Sequence, residues 1–221
     1  DTVAMTNAVA TGIVATDSGS VSGVEVLGIT DAGSGTVSLA NFAGVERVNY
    51  EAGLGGNVTV SKAPAAVTVG VYKVDADGDS VTVNVATDGS ADAATVELHD
   101  IGAADAIGTI TSTTSTTDFE TVNLVVRDDA KVDGVGKLTV ASLVTTGGTT
   151  ALQYATALTI DTDATLVFTA ATTNIAAGNV AGDLLGLSSL DASKSTGSID
   201  ASAIDYQAVT TSGSTAGATI K

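Results

Sequence analysis

Short runs in which apolar and polar residues alternate recur along the whole chain, punctuated by Gly, Ser, Thr and Asp. The clearest is Val67-Thr68-Val69-Gly70-Val71-Tyr72-Lys73-Val74, answered after the acidic stretch Asp75 to Asp79 by Ser80-Val81-Thr82-Val83-Asn84-Val85. A period of two puts one set of side chains on a buried face and the other on a polar one. Each run therefore predicts a half-buried strand, and the pair predicts a β-arc or hairpin with carboxylates at its tip. Val21 to Leu27, Thr36 to Leu39, Asn57 to Val60, Thr95 to Leu98, Ile107 to Ile110, Lys137 to Val140, Thr159 to Asp161 and Leu166 to Thr169 read as further strands. Ala32-Gly33-Ser34-Gly35 and Gly53-Leu54-Gly55-Gly56 read as the turns between them. Thr111 to Thr117 is nearly pure Ser and Thr, which fits a polar strand or a loop equally. Asn174 to Leu190 alone has helical character, and Gly178, Gly182 and Gly186 each weaken a helix there by about 1 kcal/mol relative to Ala.

Some of these strands repeat. Val45-Glu46-Arg47-Val48-Asn49-Tyr50 returns as Phe119-Glu120-Thr121-Val122-Asn123-Leu124, with Glu46 and Glu120 74 residues apart. Each copy closes a run of small residues and precedes another strand-like segment. Leu190-Asp191-Ala192-Ser193 recurs nine residues on as Ile199-Asp200-Ala201-Ser202, the spacing of half-turns in a stack of coils. Self-similarity of this kind points to stacked repeats. The expected fold is all-β, a β-solenoid-like stack of short strands with Gly/Asp/Ser-rich turns, the alternative being β-sandwich domains. It is expected to form one body over residues 1–221, with internal units at about 20–95, 96–170 and 171–221, and to be a segment of a longer protein. Val48 and Val122 are expected at equivalent inward positions. Asn49 and Asn123 are expected on the opposite side, as ladder asparagines at equivalent bends, because strand side chains alternate.

Composition narrows the picture. The 221 residues are long enough for a real core, yet aromatics are only 3% and Trp is absent, so Val, Ala, Leu and Ile must fill it. Small β-branched residues suit a narrow interior in which each layer repeats the last. There is no Cys, so disulfides contribute nothing. No apolar run approaches the ~18 residues of a membrane helix, and membrane insertion is not expected. Residues 1–5 have neither the basic nor the apolar region of a signal peptide.

Charge decides the partner class. Lys and Arg total 8 against 25 Asp and Glu, a formal charge of -17 that repels nucleic acid and anionic lipid. It favours divalent cations, calcium above all, whose ligands are carboxylate and carbonyl oxygens. Asp75-Ala76-Asp77-Gly78-Asp79 has the oxygen spacing of the first half of a calcium loop. Ser80 stands where an EF-hand needs its turn glycine and Ala86 where it needs Glu, so the candidate is an acidic calcium-binding turn and not an EF-hand. Asp128, Asp129 and Asp133 mark a second such turn, with Asp161 and Asp163 a weaker third. Glu46 and Glu120 read as outward strand residues. His99 beside Asp100 imitates half a catalytic dyad, but nothing constrains a third partner and no enzyme is expected.

The apolar-Glu-x-Val-Asn-apolar strands, and Leu-Asp-Ala-Ser followed by Thr-Gly at Thr196 and Gly197, resemble bacterial S-layer proteins of the RTX type, the Caulobacter and Campylobacter surface-array proteins among them. The resemblance implies a secreted, calcium-dependent, β-solenoid-rich protein that tiles the bacterial cell surface by contacts with itself and with the remainder of a longer polypeptide. The family's Gly-Gly-x-Gly-x-Asp nonapeptide is not intact: Gly53-Leu54-Gly55-Gly56-Asn57 has the glycines without the Asp. The expected function is thus a structural component of a secreted surface layer or extracellular lattice. A stalk module of a large secreted adhesin is the alternative, and a β-helix polysaccharide-active enzyme the third reading.

Overall fold

A computed structural model of the chain describes residues 1–13, 21–111, 119–129, 136–144, 157–169, 189–200 and 210–212. The chain winds through coils, each laying one strand on a first sheet and the next on a second. The opening coil is β1 (Thr2–Met5) followed by a short helix, α1 (Asn7–Gly12), in place of a second strand. Then come β2 (Val21–Ser22), β3 (Val26–Ile29) and β4 (Gly33–Ser38), a single 3-10 turn at Leu39–Asn41, and β5 (Phe42–Ala43). The following coils pair β6 (Arg47–Tyr50) with β7 (Leu54–Ala63), β8 (Ala66–Val71) with β9 (Val81–Val85), and β10 (Ala93–Leu98) with β11 (Asp105–Thr111). The last ones pair β12 (Thr121–Val126) with β13 (Lys137–Val144), β14 (Ala157–Thr162) with β15 (Thr165–Phe168), and β16 (Ser189–Asp191) with β17 (Ile199–Asp200), before β18 (Thr210–Ser212).

Hydrogen bonding joins equivalent strands of successive coils. The first sheet runs β1-β3-β6-β8-β10-β12-β14-β16-β18, the second β17-β15-β13-β11-β9-β7-β4, and β2 pairs β5 in a two-stranded patch. All these pairings are parallel. The fold is therefore all-β and solenoid-like. Strands 67–74 and 80–85 lie in different sheets, so the turn between them is a β-arc and not a hairpin.

Register organises the core into lines. Val3, Leu27, Val48, Val69, Val96, Leu124 and Ile160 are successive partners in the first sheet, and from Leu27 onward all are buried. Beside them run Met5, Ile29, Tyr50, Val71, Leu98, Val126 and Thr162. Val58, Val81 and Ile110 face them from the second sheet, as do Val60 and Val83. Sheets facing each other at about 10 Å leave room for Val and Leu but few rings. All three Phe, at 42, 119 and 168, are buried near strand ends and corners. Each fully buried Val, Leu or Ile side chain contributes about 1.5–3 kcal/mol, so the stability resides in these lines.

The two Glu-x-Val-Asn copies both lie in the first sheet, with Val48 and Val122 buried and Asn49 and Asn123 on the outer side. They are not equivalent. Val48 aligns through Val69 and Val96 with Leu124, while Val122 aligns with Val67, Ala94 and Leu158. The second motif is thus two residues out of step, because the register follows the apolar lines and not the Asn. The asparagines therefore form no ladder and sit on strands, not bends. Leu190 and Ile199, nine residues apart, do fall on opposite sheets, both buried, as half-turns should.

Two predicted turns are strand instead. Gly33 begins β4, and a Cβ there would lie 2.2 Å from the Tyr50 ring, so glycine makes room for the largest core side chain. Gly55 and Gly56 lie inside β7. The strand predicted from Val21 to Leu27 is split into β2 and β3. Asn7–Gly12 are helical, although the sequence shows helical character only at Asn174 to Leu190. The Ser/Thr stretch from 112 to 117 and nearly all of the predicted helical region 174–190 lie outside the described residues.

Corners after the first sheet share a left-handed residue. Lys73 and Asp100, each two residues beyond the paired Val71 and Leu98, both have φ 57°. Gly53 has φ 80°, and a Cβ on it would stand 2.7 Å from the Lys73 carbonyl oxygen. Gly53→Ala is expected to cost at least about 2 kcal/mol, since a left-handed L-residue alone costs about 1–2 and backbone must also shift. Lys73→Gly removes a similar strain but frees the unfolded chain by about 0.5–1 kcal/mol, so it should leave stability unchanged or raise it by about 1 kcal/mol. Urea unfolding of the two variants checks both signs.

Candidate functional site

The outer face of the first sheet carries a run of charged and aromatic side chains that spans several coils. It exists because strand alternation sends Arg47, Asn49, Glu97 and Asp161 outward and because one glycine keeps the surface low between them. Asn49, Gly70, Glu97, Val125 and Asp161 are successive partners in a single outward line. At Gly70 a Cβ would meet Asn49 Oδ1 at 2.9 Å and Arg47 Nη2 at 3.4 Å. The Arg47 guanidinium lies in that gap. Its Nε donates to Asn49 Oδ1 (2.8 Å), its Nη2 to the Tyr72 hydroxyl (3.3 Å), and its Nη1 and Nη2 to the two Glu97 oxygens, Nη1 at 3.3 Å. An arginine on β6 thereby reaches over β8 to a carboxylate on β10.

His99 continues the chain of contacts. Its Nε2 faces Glu97 Oε2 at 3.4 Å and its Nδ1 faces Asp129 Oδ2 at 2.6 Å, while its ring stacks on Tyr72 with centroids 4.5 Å apart and planes at 12°. The hydrogen bond from His99, reinforced by Arg47, holds the Glu97 carboxyl down at about 2 despite partial burial. The bonds to Glu97 and then Asp129 push the His99 imidazole above its ordinary value, against the desolvation that would lower it. One coil further, Arg127 Nη2 donates to Asp161 Oδ2 at 2.7 Å and Nη1 to the Asp161 carbonyl at 2.8 Å. No motif announces this staple. Its partners are 50 residues apart in Arg47 and Glu97 and 34 in Arg127 and Asp161, distances that mean something only once the coil register is known.

The staple takes up one residue of the second acidic turn. Asp129 is paired with His99. Asp128 is 8% exposed, its carboxylate against Gly136, where a Cβ would come within 2.9 Å of it. Its backbone N–H donates to Asp163 Oδ1 at 2.8 Å. Asp133 lies outside the described residues. Asp128 and Asp129 are therefore not brought together as a pair open to an ion. The predicted neighbour of His99, Asp100, is an exposed corner residue, and the imidazole turns to Glu97 and Asp129 instead.

The first acidic turn is arranged differently. Asp75, Asp77 and Asp79 form the corner between β8 and β9, with Asp75 and Asp77 exposed. Asp75 Oδ1 accepts from the Asp77 N–H at 3.0 Å. The carbonyls of Asp75 and Asp79 accept from Ala106 and Gly108 of the next coil at 2.8 and 2.9 Å. Desolvation and then the charges of Asp75 and Asp77 raise the Asp79 carboxyl, partly offset by a bond from the Gly56 backbone. The donors are the hard oxygens calcium takes. Yet among the described residues no three acidic or histidine side chains converge on one point, so an ion would have to draw this corner closed.

Glu46 is an exposed corner residue, whereas Glu120 Oε2 accepts from the Asp92 N–H at 2.5 Å and belongs to a corner brace that includes Asp92 Oδ2 on the Gly89 N–H at 2.7 Å. No protein-family model, no curated protein and no solved structure matches the chain significantly. Among the described residues no helix is long and apolar enough to cross a membrane.

The staple gives stability a pH optimum. Glu97, depressed from 4.5, contributes fully above its unfolded value, and that contribution is lost as pH falls through about 2. His99, raised from 6.5, contributes fully below that value, and its contribution is lost as pH rises through the elevated one. The melting temperature should therefore be highest between about pH 4.5 and 6.5 and fall on both sides. His99→Gln should remove the fall on the alkaline side and, because the imidazole is the first cause of the low Glu97 carboxyl, also shrink the fall on the acid side, as thermal melts on both sides of that range will show.

Proposed function

We propose that the chain is a structural segment of a secreted bacterial surface layer or extracellular lattice, assembling with itself and responding to calcium through its acidic corners. The observation that carries this reading is the uninterrupted stack of parallel coils. Such a stack is a quasi-one-dimensional rod, stable through neighbour contacts alone and suited to repetition over distance. Its outer faces support the same role. Thr36, Thr59 and Thr82 form one in-register line on the second sheet, continued by Thr111, and Thr68, Thr95, Asn123 and Thr159 form one on the first. Lines of short polar side chains make flat, regular, hydrated surfaces. The polar staple described above ties coils together, which is a structural task. The resemblance to RTX-type S-layer proteins adds the surface location.

Calcium enters through charge. Carboxylates crowd the 75–79 corner, where Asp79, raised first by desolvation, is raised further by the charges of Asp75 and Asp77. An ion bound only to the folded form adds RT ln(1 + [L]/Kd), about 2.7 kcal/mol at a hundredfold excess over Kd. Millimolar calcium is expected to raise the melting temperature and promote assembly, and chelator to reverse both. In chelator Asp79→Asn should melt slightly higher than the parent, because a like charge is gone, and calcium should add little to it. Identical melting and sedimentation with calcium and with chelator would remove calcium from the proposal, and a monomer at every concentration in calcium would remove self-assembly.

A further inference from the structure

We propose that a cleft at one corner of the stack binds a free α-amino acid with an apolar side chain, its carboxylate toward Lys62 and its ammonium toward Glu46. This goes beyond the structural reading and does not rest on it.

The cleft follows from unequal corners. Between the second sheet and the first, the coil of β4 takes residues 39–46 and the coil of β9 takes 86–92. The coil between them turns from β7 to β8 on Pro64 and Ala65 alone. Backbone bonds hold this short corner close to the next coil, the Ala63 and Ala65 carbonyls accepting from the Ala86 and Ala93 N–H groups at 2.7 Å each. Proline suits so tight a turn, since its φ is fixed and it needs no acceptor for an N–H. The longer corners project on either side and leave an open cleft of about 230 Å³ over Pro64. Further coils flank it in both directions, so it lies within the stack and not at an end.

Its lining combines apolar surface with two unpaired charges. Leu39, Phe42, Val45, Pro64 and Ala86 supply the apolar part. Glu46 and Lys62 line the same cleft, both exposed, and among the described residues neither has an ion-pair partner.

Lys62 is placed there by an interruption of the ladder. Val58 and Val60 are buried, so strict alternation would send residue 62 into the core. Instead the register between β7 and β9 shifts between Val60 and Ala63, and Lys62 within that bulge has φ 57°. L-residues seldom adopt this conformation, and a bulge is a means of re-aiming a side chain. The extra residue turns Lys62 out to the cleft and buries Ala63 in its stead. Glu46 is fixed from both sides. Its N–H donates to the Glu25 carbonyl and its carbonyl accepts from the Thr68 N–H, both at 2.9 Å.

The ligand class follows from this arrangement. A cation and an anion that do not pair, set around an apolar lining, complement a ligand carrying the opposite charges and an apolar body. An α-amino acid carries both charges on one carbon and an aliphatic side chain for the lining. The volume falls below the ~300–1,000 Å³ of sites for drug-sized ligands, which favours a single amino acid over a peptide. A zwitterion is also net neutral, so the chain's charge of -17 does not repel it.

The test is a titration of the full chain, followed by its amide NMR spectrum, with L-leucine, leucinamide and N-acetyl-leucine. Leucine should shift the amides of residues 39–46, 62–66 and 86 in a saturable way. Leucinamide lacks the carboxylate and N-acetyl-leucine the ammonium. Each should bind about tenfold more weakly, the scale of a charged hydrogen bond. Lys62→Gly, which accepts the left-handed backbone without strain, should keep the folded spectrum and bind leucine no better than leucinamide. Glu46→Gln should likewise cease to distinguish leucine from N-acetyl-leucine. No saturable shift with leucine, shifts centred elsewhere, equal binding of the three ligands, or undiminished binding to either variant would overturn the proposal.

Discussion

The parallel backbone ladder between successive coils is the constraint on which the rest depends. Every strand of the two large sheets finds its hydrogen-bond partner one coil away, and the ladder continues around corners, as where His99 N–H donates to Val71 O and Arg127 N–H to Leu98 O. Once that register is set, side chains of equal rank fall into lines. Inward lines of Val, Leu and Ile become the core, and on the outer face the same register places Arg47 within reach of Glu97 and Arg127 within reach of Asp161. Shifting one strand by a single residue would turn its apolar set to solvent. The polar staple is thus a product of the same register that builds the core.

The strands were legible because period-two alternation is a local property: Val81 to Val85 and Thr121 to Val126 declare themselves in five or six residues. The repeat was only partly legible. From Val26 to Arg47 and from Arg47 to Thr68 is 21 residues, but from Thr95 to Asn123 is 28 and from Asn123 to Thr159 is 36. Coil length varies while the strands of the first sheet keep register, and in the second sheet β7 shifts register against both β4 and β9, so no fixed period marks the coils. The Glu-x-Val-Asn match misled by two residues for that reason, since three coils of unequal length separate its copies. Glycine misled as well: Gly33 reads as part of a turn, whereas it begins a strand and leaves the space into which the Tyr50 ring fits.

The polar site was the least visible part. Of the acidic turn at Asp128, Asp129 and Asp133, the fold sends Asp128 into a corner against Gly136 and Asp129 to His99, contacts that no local pattern announces. Asp75, Asp77 and Asp79 stay together because they belong to one corner. Ion pairs between coils depend on tertiary register and have no local pattern.

The inequality of the coils has a further consequence. Loop closure costs only about 0.6 kcal/mol for each doubling of length, so residues added at a corner are nearly free, whereas extra residues within a strand, as in β7, shift its register against both neighbours. Between Asn123 and Thr159 the chain takes 36 residues for a circuit that costs 21 between Arg47 and Thr68, and the strands on either side pair without a shift. Corners are therefore where this architecture can diversify: its surface can change by insertion, coil by coil, with the interior left as it was.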